Sequence, residues 1–390
     1  MPCTAHLLEF AGIIGYNKGK KSKGRPREGC RNVKDITVEE YLQKSKEFCL
    51  IDVRSPGEYT EAHIPGAVNI PLFTDEERAQ VGIVYKHEGT DRAKQVGLRF
   101  VARRLPQMVG QILAAAGGKK IVIYCWRGGM RSRSVSHLLA ALDYPVYQLT
   151  GGYKAFRRYI NHFHATNKIE VPVFVLNGLT GVGKTRLLAL LVERGYPALD
   201  LESMANHRGS AFGSVGLGAP RSQKDFDALL ALALMEKKHA PCLIVEGEGK
   251  RIGPVQLPDY FFTAMEKGPH ILLVADLNVR VERIVAEYRG RGDTSEELAA
   301  AVYGLQKKLG KAKCEELAEK VRRQMYEDVA LELCRGYYDL YYHDSRRANE
   351  DYLAIVDVND LKRGADEVAA VVTAYLDGRK AGEGEHKTCM

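Results

Sequence analysis

The sequence predicts an α/β protein of two successive domains, each a parallel sheet covered by helices, with helical insertions in the second. Three observations carry that expectation. From Asp35 to about Tyr159 short apolar runs (FCLIDV, KIVIYC, YPVYQL) alternate with stretches of helical period. Near Glu170 a second strand, glycine loop and helix begin. With 390 residues, 45% of them apolar, the chain can fill two or three ordinary cores.

The N-terminal arm comes first. Of the formal charge of +8, six units lie in residues 1–34, where eight Lys/Arg face Glu9 and Glu28, leaving +2 for the rest. The stretch GYNKGKKSKGRPREGCR has too few apolar residues to bury, so residues 1–34 are expected to be a disordered basic arm able to attract RNA or simply to stay solvated. The domains expected after it are 35–160 and 170–378, joined by a linker at 161–169 and followed by a disordered tail at 379–390. LLEFAGII is too short for a membrane span and has no basic segment before it, so no signal peptide or membrane anchor is read. The eight cysteines show no CxxC and no zinc spacing; a reducing, cytoplasmic setting fits them, and no metal site is expected, His162 and His164 in the linker included.

In IVIYCWRGGMRSRS, Cys125 directly follows a strand-forming run, and Val135, Leu138, Leu139 and Leu142 then repeat at one-face helical spacing. Cys125 therefore ends a strand, and CWRGGMR is the turn into a helix. Backbone N–H groups at a helix start favour negative charge, Gly128 and Gly129 permit a tight loop, and the same field stabilises a thiolate and holds an incoming anion. Arg127 and Arg131 add cationic donors, and Arg131, six residues beyond Cys125, can close the ring as a bidentate oxyanion donor.

IDVRSPGEYTEAHIPGAVNIP, taken with this cysteine loop, resembles a rhodanese domain, in which such a cysteine carries persulfide sulfur. Common sulfurtransferase loops have one residue fewer between Cys and Arg. The longer ring here has the length found in dual-specificity phosphatases and suits a phosphate-sized anion, so sulfur transfer, selenium transfer and phosphate-ester chemistry all stay open on this likeness.

The second domain opens with VPVFVLNGLTGVGKTRLLALLVERG. Gly178, Gly183, Lys184 and Thr185 fit G-x-x-x-x-G-K-[ST] between a strand and a helix, with Gly181 inside the loop. Such a loop cradles a diphosphate on backbone N–H groups, Lys184 supplies a point charge, and Thr185 could hold a magnesium ion. At the next acidic strand end, CLIVEGEGKRIG, Glu246 and Glu248 stand where a hydrolytic phosphate loop carries aspartate, and no residue is evident to position an attacking water. The loop is expected to bind a diphosphate without hydrolysing a nucleotide.

ALDLESMANHRGSAFGSVG is too polar and glycine-rich for a core element, yet it follows a strand at the sheet edge where ligands bind in open α/β folds. Asp200, Glu202, Asn206, His207 and Arg208 are candidate substrate contacts, with Arg251 beyond Glu246 completing the set; a self-stabilising solvated loop is the alternative for the polar stretch. Residues 293–343 read as mostly helical. Their tyrosines and arginines suit either stacking on an RNA loop or a helical core face with snorkelling arginines.

The order of CWRGGMRS, GGYKAFRR, GLTGVGKT, DLESMANHRGSAFG and VEGEGKRIG closely resembles that of the tRNA 2-selenouridine synthases, over roughly residues 35–375. The resemblance implies an enzyme acting on wobble 2-thiouridine in the tRNA anticodon loop, with geranyl diphosphate alkylating the sulfur and selenophosphate then exchanging the geranylated sulfur for selenium. It assigns the diphosphate to Gly178, Gly181, Gly183, Lys184 and Thr185, and selenophosphate to Cys125, Arg127, Gly128, Gly129 and Arg131. A selenophosphate-supplying enzyme is a possible partner, and a monomer is expected. Val182 departs from the family, which usually has serine there, and the basic arm has no counterpart. A sulfurtransferase fused to a kinase or ATPase, and a non-catalytic tRNA-binding protein, are the rival readings.

Overall fold

The computed structural model describes residues 33–289, 294–340 and 352–385. The expected basic arm lies outside the described residues up to position 32, and so do residues 341–351 of the tyrosine-rich stretch and 386–390 of the tail.

The first domain runs β1 (Lys34–Ile36), α1 (Val38–Gln43), β2 (Phe48–Asp52), α2 (Pro56–Glu61), β3 (Val68–Asn69), α3 (Asp75–Glu88), α4 (Thr90–Val101), α5 (Leu105–Ala116), β4 (Lys120–Tyr124), α6 (Met130–Ala141), β5 (Val146–Leu149) and α7 (Gly152–Thr166). Its sheet has the order β1-β5-β4-β2-β3, every pairing parallel. β2 is buried throughout and β4 in all but its first residue, because helices cover both faces; that is why these strands read as unbroken apolar runs. One core holds Ile51, Ile121, Ile123, Ile112 and Leu139, and the opposite face packs Leu50, Val122, Tyr124, Phe156 and Ile160.

The IDVRSPGEY stretch has a structural role. Arg54 is buried against buried Asp52, donating from Nε (2.9 Å) and Nη2 (2.6 Å) to Oδ2, while Nη2 also donates to the Ala62 carbonyl (2.8 Å). Its guanidinium lies 4.3 Å from the Tyr153 ring centroid. A buried charge is tolerated when it is paired and hydrogen-bonded in this way.

The second domain continues with β6 (Val173–Asn177), α8 (Lys184–Glu193), β7 (Ala198–Leu199), α9 (Leu201–Ala205), α10 (Gln223–Glu236), β8 (Leu243–Glu246), β9 (Arg251–Ile252), β10 (Val255–Gln256), α11 (Asp259–Lys267), β11 (His270–Val274) and α12 (Leu277–Arg289). The helical insertion α13 (Ser295–Tyr303), α14 (Gln306–Leu309), α15 (Lys311–Arg322) and α16 (Tyr326–Leu333) follows, ending in a π-helical turn at Cys334–Tyr338; β12 (Ala354–Asp357) and α17 (Leu361–Glu385) close the domain. The sheet is again all parallel, in the order β12-β11-β6-β8-β7. β6, which feeds the phosphate loop, is central, with the changes of strand order on either side of it. That is where open α/β folds place ligands.

Two expected boundaries need correction. α7 runs to Thr166, so most of the supposed linker 161–169 is helix, and α17 continues to Glu385 through positions assigned to a disordered tail from 379. The linker prediction failed because α7 has a partner. Arg157 on α7 donates to the Lys224 carbonyl (2.8 Å) and to Asp227 (3.1 Å), and His164 binds Tyr260 Oη and the Asp227 carbonyl (2.9 and 2.8 Å). Ala228 and Ala231 of α10 join the first domain's core, so α7 is an interdomain strut. Among the described residues no helix is long and apolar enough to cross a membrane.

Candidate active site

The cysteine loop is assembled by contacts remote in sequence. Cys125 is buried at the end of β4, its Sγ 3.3 Å from Ser132 Oγ, which donates to the Gly129 carbonyl (3.2 Å). Gln148 on β5 donates to the Gly128 carbonyl (2.5 Å), tethering the ring. Gly128 has φ +64°, and a Cβ there would meet the Leu149 carbonyl oxygen at 2.9 Å. Gly152 has φ +57°, and a Cβ on it would overlap the Cys125 carbonyl oxygen. Next in sequence, the amides of Tyr153 and Lys154 donate to the carbonyls of Cys125 and Trp126, both at 2.9 Å. GGYK is thus the strap that holds the cysteine loop from behind, a role its sequence does not announce.

Arg127 is exposed on this loop and Gly129 caps α6. Arg131 is ion-paired with Glu58 of α2, Nη1 to Oε2 at 2.5 Å. Burial would raise the Glu58 carboxyl, but Arg131 and then Arg78 outweigh it and hold the group below the usual carboxylate range. The oxyanion donor expected from the sequence therefore carries a carboxylate, and Glu58 is a residue the sequence reading missed.

In the phosphate loop Gly181 and Gly183 have φ +80° and +97°, the left-handed region only glycine enters freely. The loop's carbonyls are drawn outward: Thr180 O accepts from Arg280 Nη1 (3.1 Å), and Val182 O accepts from Arg283 Nη1 (2.7 Å). Arg280 is itself buried and paired with Asp339 (2.6 Å). Lys184 Nζ donates to Gly178 O at 3.1 Å. Val182 is buried in the core beneath the loop, which accounts for an apolar residue there.

The loop opens onto a chamber of about 680 Å3. It is lined by Lys184, Thr185, Glu202, Arg208, Glu248, Arg283 and Glu287 and by the apolar Phe212, Ile284, Val285, Leu298, Val329 and Leu333. Arg208 donates from Nε to Glu287 (2.5 Å) and from Nη1 to the Val215 carbonyl (3.1 Å), with its guanidinium 5.2 Å from the Tyr288 ring centroid; Nη2 is buried without a partner. The helical insertion places Tyr326 and Tyr338 on the chamber wall.

The polar stretch divides between site and scaffold. Asp200 caps α9, accepting from the Ser203 amide at 2.7 Å. Asn206 sits at φ +51° and donates to the Leu217 and Ala219 carbonyls (3.0 and 2.9 Å). The His207 ring packs against Gly213 and Gly253 and accepts from the Gly209 amide (3.1 Å); burial, then Arg208, lowers its pKa. Arg251 is exposed at the start of β9 and is not among the chamber's lining residues. Asp200, Asn206, His207 and Arg251 are thus not brought to the chamber, whereas Glu202 and Arg208 are.

Glu246 ends β8 fully buried. Its Oε1 accepts from the Glu202 amide (2.7 Å), and its Oε2 has no partner. Burial first, then Asp200, pushes its carboxyl well above the carboxylate range. Thr185 donates its hydroxyl to Glu202 Oε2 (3.2 Å), and among the described residues no cluster of three His, Cys, Asp or Glu is placed to hold a metal. Thr185 and Glu202 would be the residues to hold a magnesium ion beside a bound diphosphate, and no step below passes through one.

A cysteine-loop domain of rhodanese type joined to a phosphate-loop α/β domain is the class these two sites define. Residues 37–159 match the rhodanese-like domain family, and residues 171–363 match the family described as the tRNA 2-selenouridine synthase AAA domain. Curated tRNA 2-selenouridine synthases are similar along most of the chain. That of Hydrogenovibrio crunogenus is 39% identical over 70% of this chain and 80% of its own. That of Pseudomonas syringae pv. syringae is 33% identical over 74% and 83%, and that of Hahella chejuensis 34% over 84% and 90%. The chain belongs to the tRNA 2-selenouridine synthase family.

Proposed function

We propose that this enzyme converts wobble 2-thiouridine of tRNA to 2-selenouridine in two steps, geranylation of the sulfur and replacement of the geranylated sulfur by selenium from selenophosphate. The observation that carries the reading is the joining of a phosphate loop to an apolar chamber. A prenyl diphosphate has that polarity, an anionic head on a hydrocarbon chain. About 680 Å3 lies within the roughly 300–1,000 Å3 of small-molecule pockets. At about 0.8 kcal/mol per buried carbon, a ten-carbon chain contributes about 8 kcal/mol of gross burial energy.

Lys184 stabilises the leaving diphosphate, and Arg208 lines the same chamber. Alkylation makes the later departure of sulfur easier, since a thiolate leaves from the S-alkyl adduct. The second anion, selenophosphate, suits the Cys125 loop, where Arg127 and Arg131 lie close to the thiol in sequence. A nucleotide-hydrolysing enzyme is the weaker reading, because the strand-end acid Glu246 is fully buried, with its pKa raised by that burial, and apolar side chains line much of the chamber beyond the phosphate loop.

The test is Cys125→Ala in the full chain, with nucleosides from thiolated tRNA analysed by mass spectrometry after incubation with geranyl diphosphate and selenophosphate. Geranyl-thiouridine should accumulate while selenouridine disappears. Equal loss of both products from a folded variant rejects this division of labour.

A further inference from the structure

An enzyme that exchanges an atom on an RNA base must bring that base to the loop where the incoming atom is held. The surface around Cys125 carries the two features by which unpaired RNA is recognised, a solvent-facing aromatic ring and exposed cationic side chains. We propose that Trp126, with Arg127, Arg133 and Lys154, forms the docking surface for the anticodon loop, one unpaired base stacking on the indole. The inference rests on the reading of this chain as a tRNA-modifying enzyme and adds to it the place where the RNA sits.

Trp126 follows Cys125 beyond the carboxyl end of β4, the edge of the sheet at which open α/β folds place ligands. Its backbone is fixed, because its carbonyl accepts from the Lys154 amide at 2.9 Å. Its ring is supported from within. The Tyr153 ring lies 5.5 Å away between centroids, tilted by 41°, and the Arg54 guanidinium is 6.0 Å from the indole centroid; both of these side chains are buried. The indole itself is 36% exposed, and Met130, the first residue of α6, is a second exposed apolar side chain of the same loop. A large ring held by buried neighbours yet open to solvent is preorganised, so little freedom is lost when a base covers it.

The charge around the ring matches an RNA strand. Residues 125–134 and 151–158 hold six Lys/Arg and no Asp or Glu, although residues 35–390 as a whole carry a net charge of only +2. Arg131 and Arg157 are ion-paired with Glu58 and Asp227. Arg127, Arg133, Lys154 and Arg158 are exposed and form no ion pair among the described residues. Arg127 stands on the cysteine loop, Arg133 on the first turn of α6 and Lys154 on the first turn of α7, the three segments that converge on Cys125. Phosphates crossing this surface are neutralised while an unstacked base reaches the indole. A duplex, whose bases are already stacked inside, has nothing to offer Trp126.

Trp126 is the only tryptophan of the chain, so its emission reports this surface alone. In the full chain, without geranyl diphosphate or selenophosphate, an anticodon stem-loop with an unmodified wobble uridine should quench that emission, and an RNA duplex of equal length should leave it nearly unchanged. Fluorescence anisotropy of a labelled stem-loop measures affinity in the variants. Trp126→Leu should weaken binding by roughly 5- to 150-fold, the loss of one base–ring stack, whereas Trp126→Phe, which keeps a ring, should recover most of it. Arg133→Gln combined with Lys154→Gln should flatten the slope of log Kd against log salt by roughly 1.4. Stem-loop binding that leaves the emission unchanged, quenching by the duplex equal to that by the stem-loop, or equal weakening in the Leu and Phe variants overturns the proposal. Quenching by the stem-loop in a chain that forms no selenouridine upholds the surface and rejects the two-step chemistry alone. A wild-type chain that binds no stem-loop overturns both.

Discussion

Arg131 Nη1 donates to Glu58 Oε2 at 2.5 Å, across 73 positions of sequence, so the arginine that ends the cysteine ring is bound to a carboxylate of α2. An anion arriving at the loop competes with Glu58 for that guanidinium. Glu58→Gln removes the competing charge while keeping a hydrogen-bond acceptor, and the KM for selenophosphate should fall several-fold. A rise in KM, measured by initial rates on geranylated tRNA, would show that Glu58 orients Arg131 instead of competing for its ligand.

Lys184→Ala should cost the alkylation step about 3 kcal/mol, the order expected for losing one donor to a developing charge in a dry site. Selenation of tRNA that is already geranylated should continue, because the cysteine loop lies in the other domain. Single-turnover rates of the two half-reactions separate these outcomes, and equal loss in both would place the phosphate loop in selenation as well.

Arg208→Lys tests whether the guanidinium grips a ligand. The wild-type side chain uses Nε on Glu287 and Nη1 on the Val215 carbonyl and keeps Nη2 buried without a partner, a fork that an ammonium cannot reproduce. Alkylation should fall at least tenfold with a melting temperature within a few degrees of wild type. A normal rate with a lowered melting temperature would make Arg208 a brace for its loop.

What the sequence disclosed follows from how far apart the interacting residues are. The cysteine ring and phosphate loop are contiguous, and their glycines, cations and flanking strands state their geometry locally. The two buried parallel sheets were legible for the same reason, as short apolar runs between helical stretches. Glu58 and Arg131, or Arg280 and Thr180, meet only in three dimensions, so nothing local marks them. The chamber wall draws on Phe212, Ile284, Leu298 and Leu333, each an ordinary amphipathic position when read along its own segment. Asn206 and His207 show the ambiguity of such a stretch. Polar residues in a glycine-rich stretch suggest ligand contacts, but here they satisfy the loop's own backbone.

Glu246 offers a test by pH. Its folded-state pKa is raised well above that of an exposed glutamate, chiefly by burial, so the folded chain binds this proton more tightly than the unfolded chain does. The consequent stability is present in full below the unfolded pKa of about 4.3 and is lost as pH rises toward the folded value. While the unfolded form is ionised and the folded form is not, the slope from this one group is about −1.4 kcal/mol per pH unit. Glu246→Gln keeps an acceptor for the Glu202 amide and cannot ionise, so its stability should decline less between pH 5 and pH 8 than that of the wild type. Urea unfolding across that range gives the comparison. Parallel curves for the two proteins would mean that Glu246 is ionised in the folded chain, which would restore the strand-end carboxylate that nucleotide hydrolysis requires and reopen that reading of the phosphate loop.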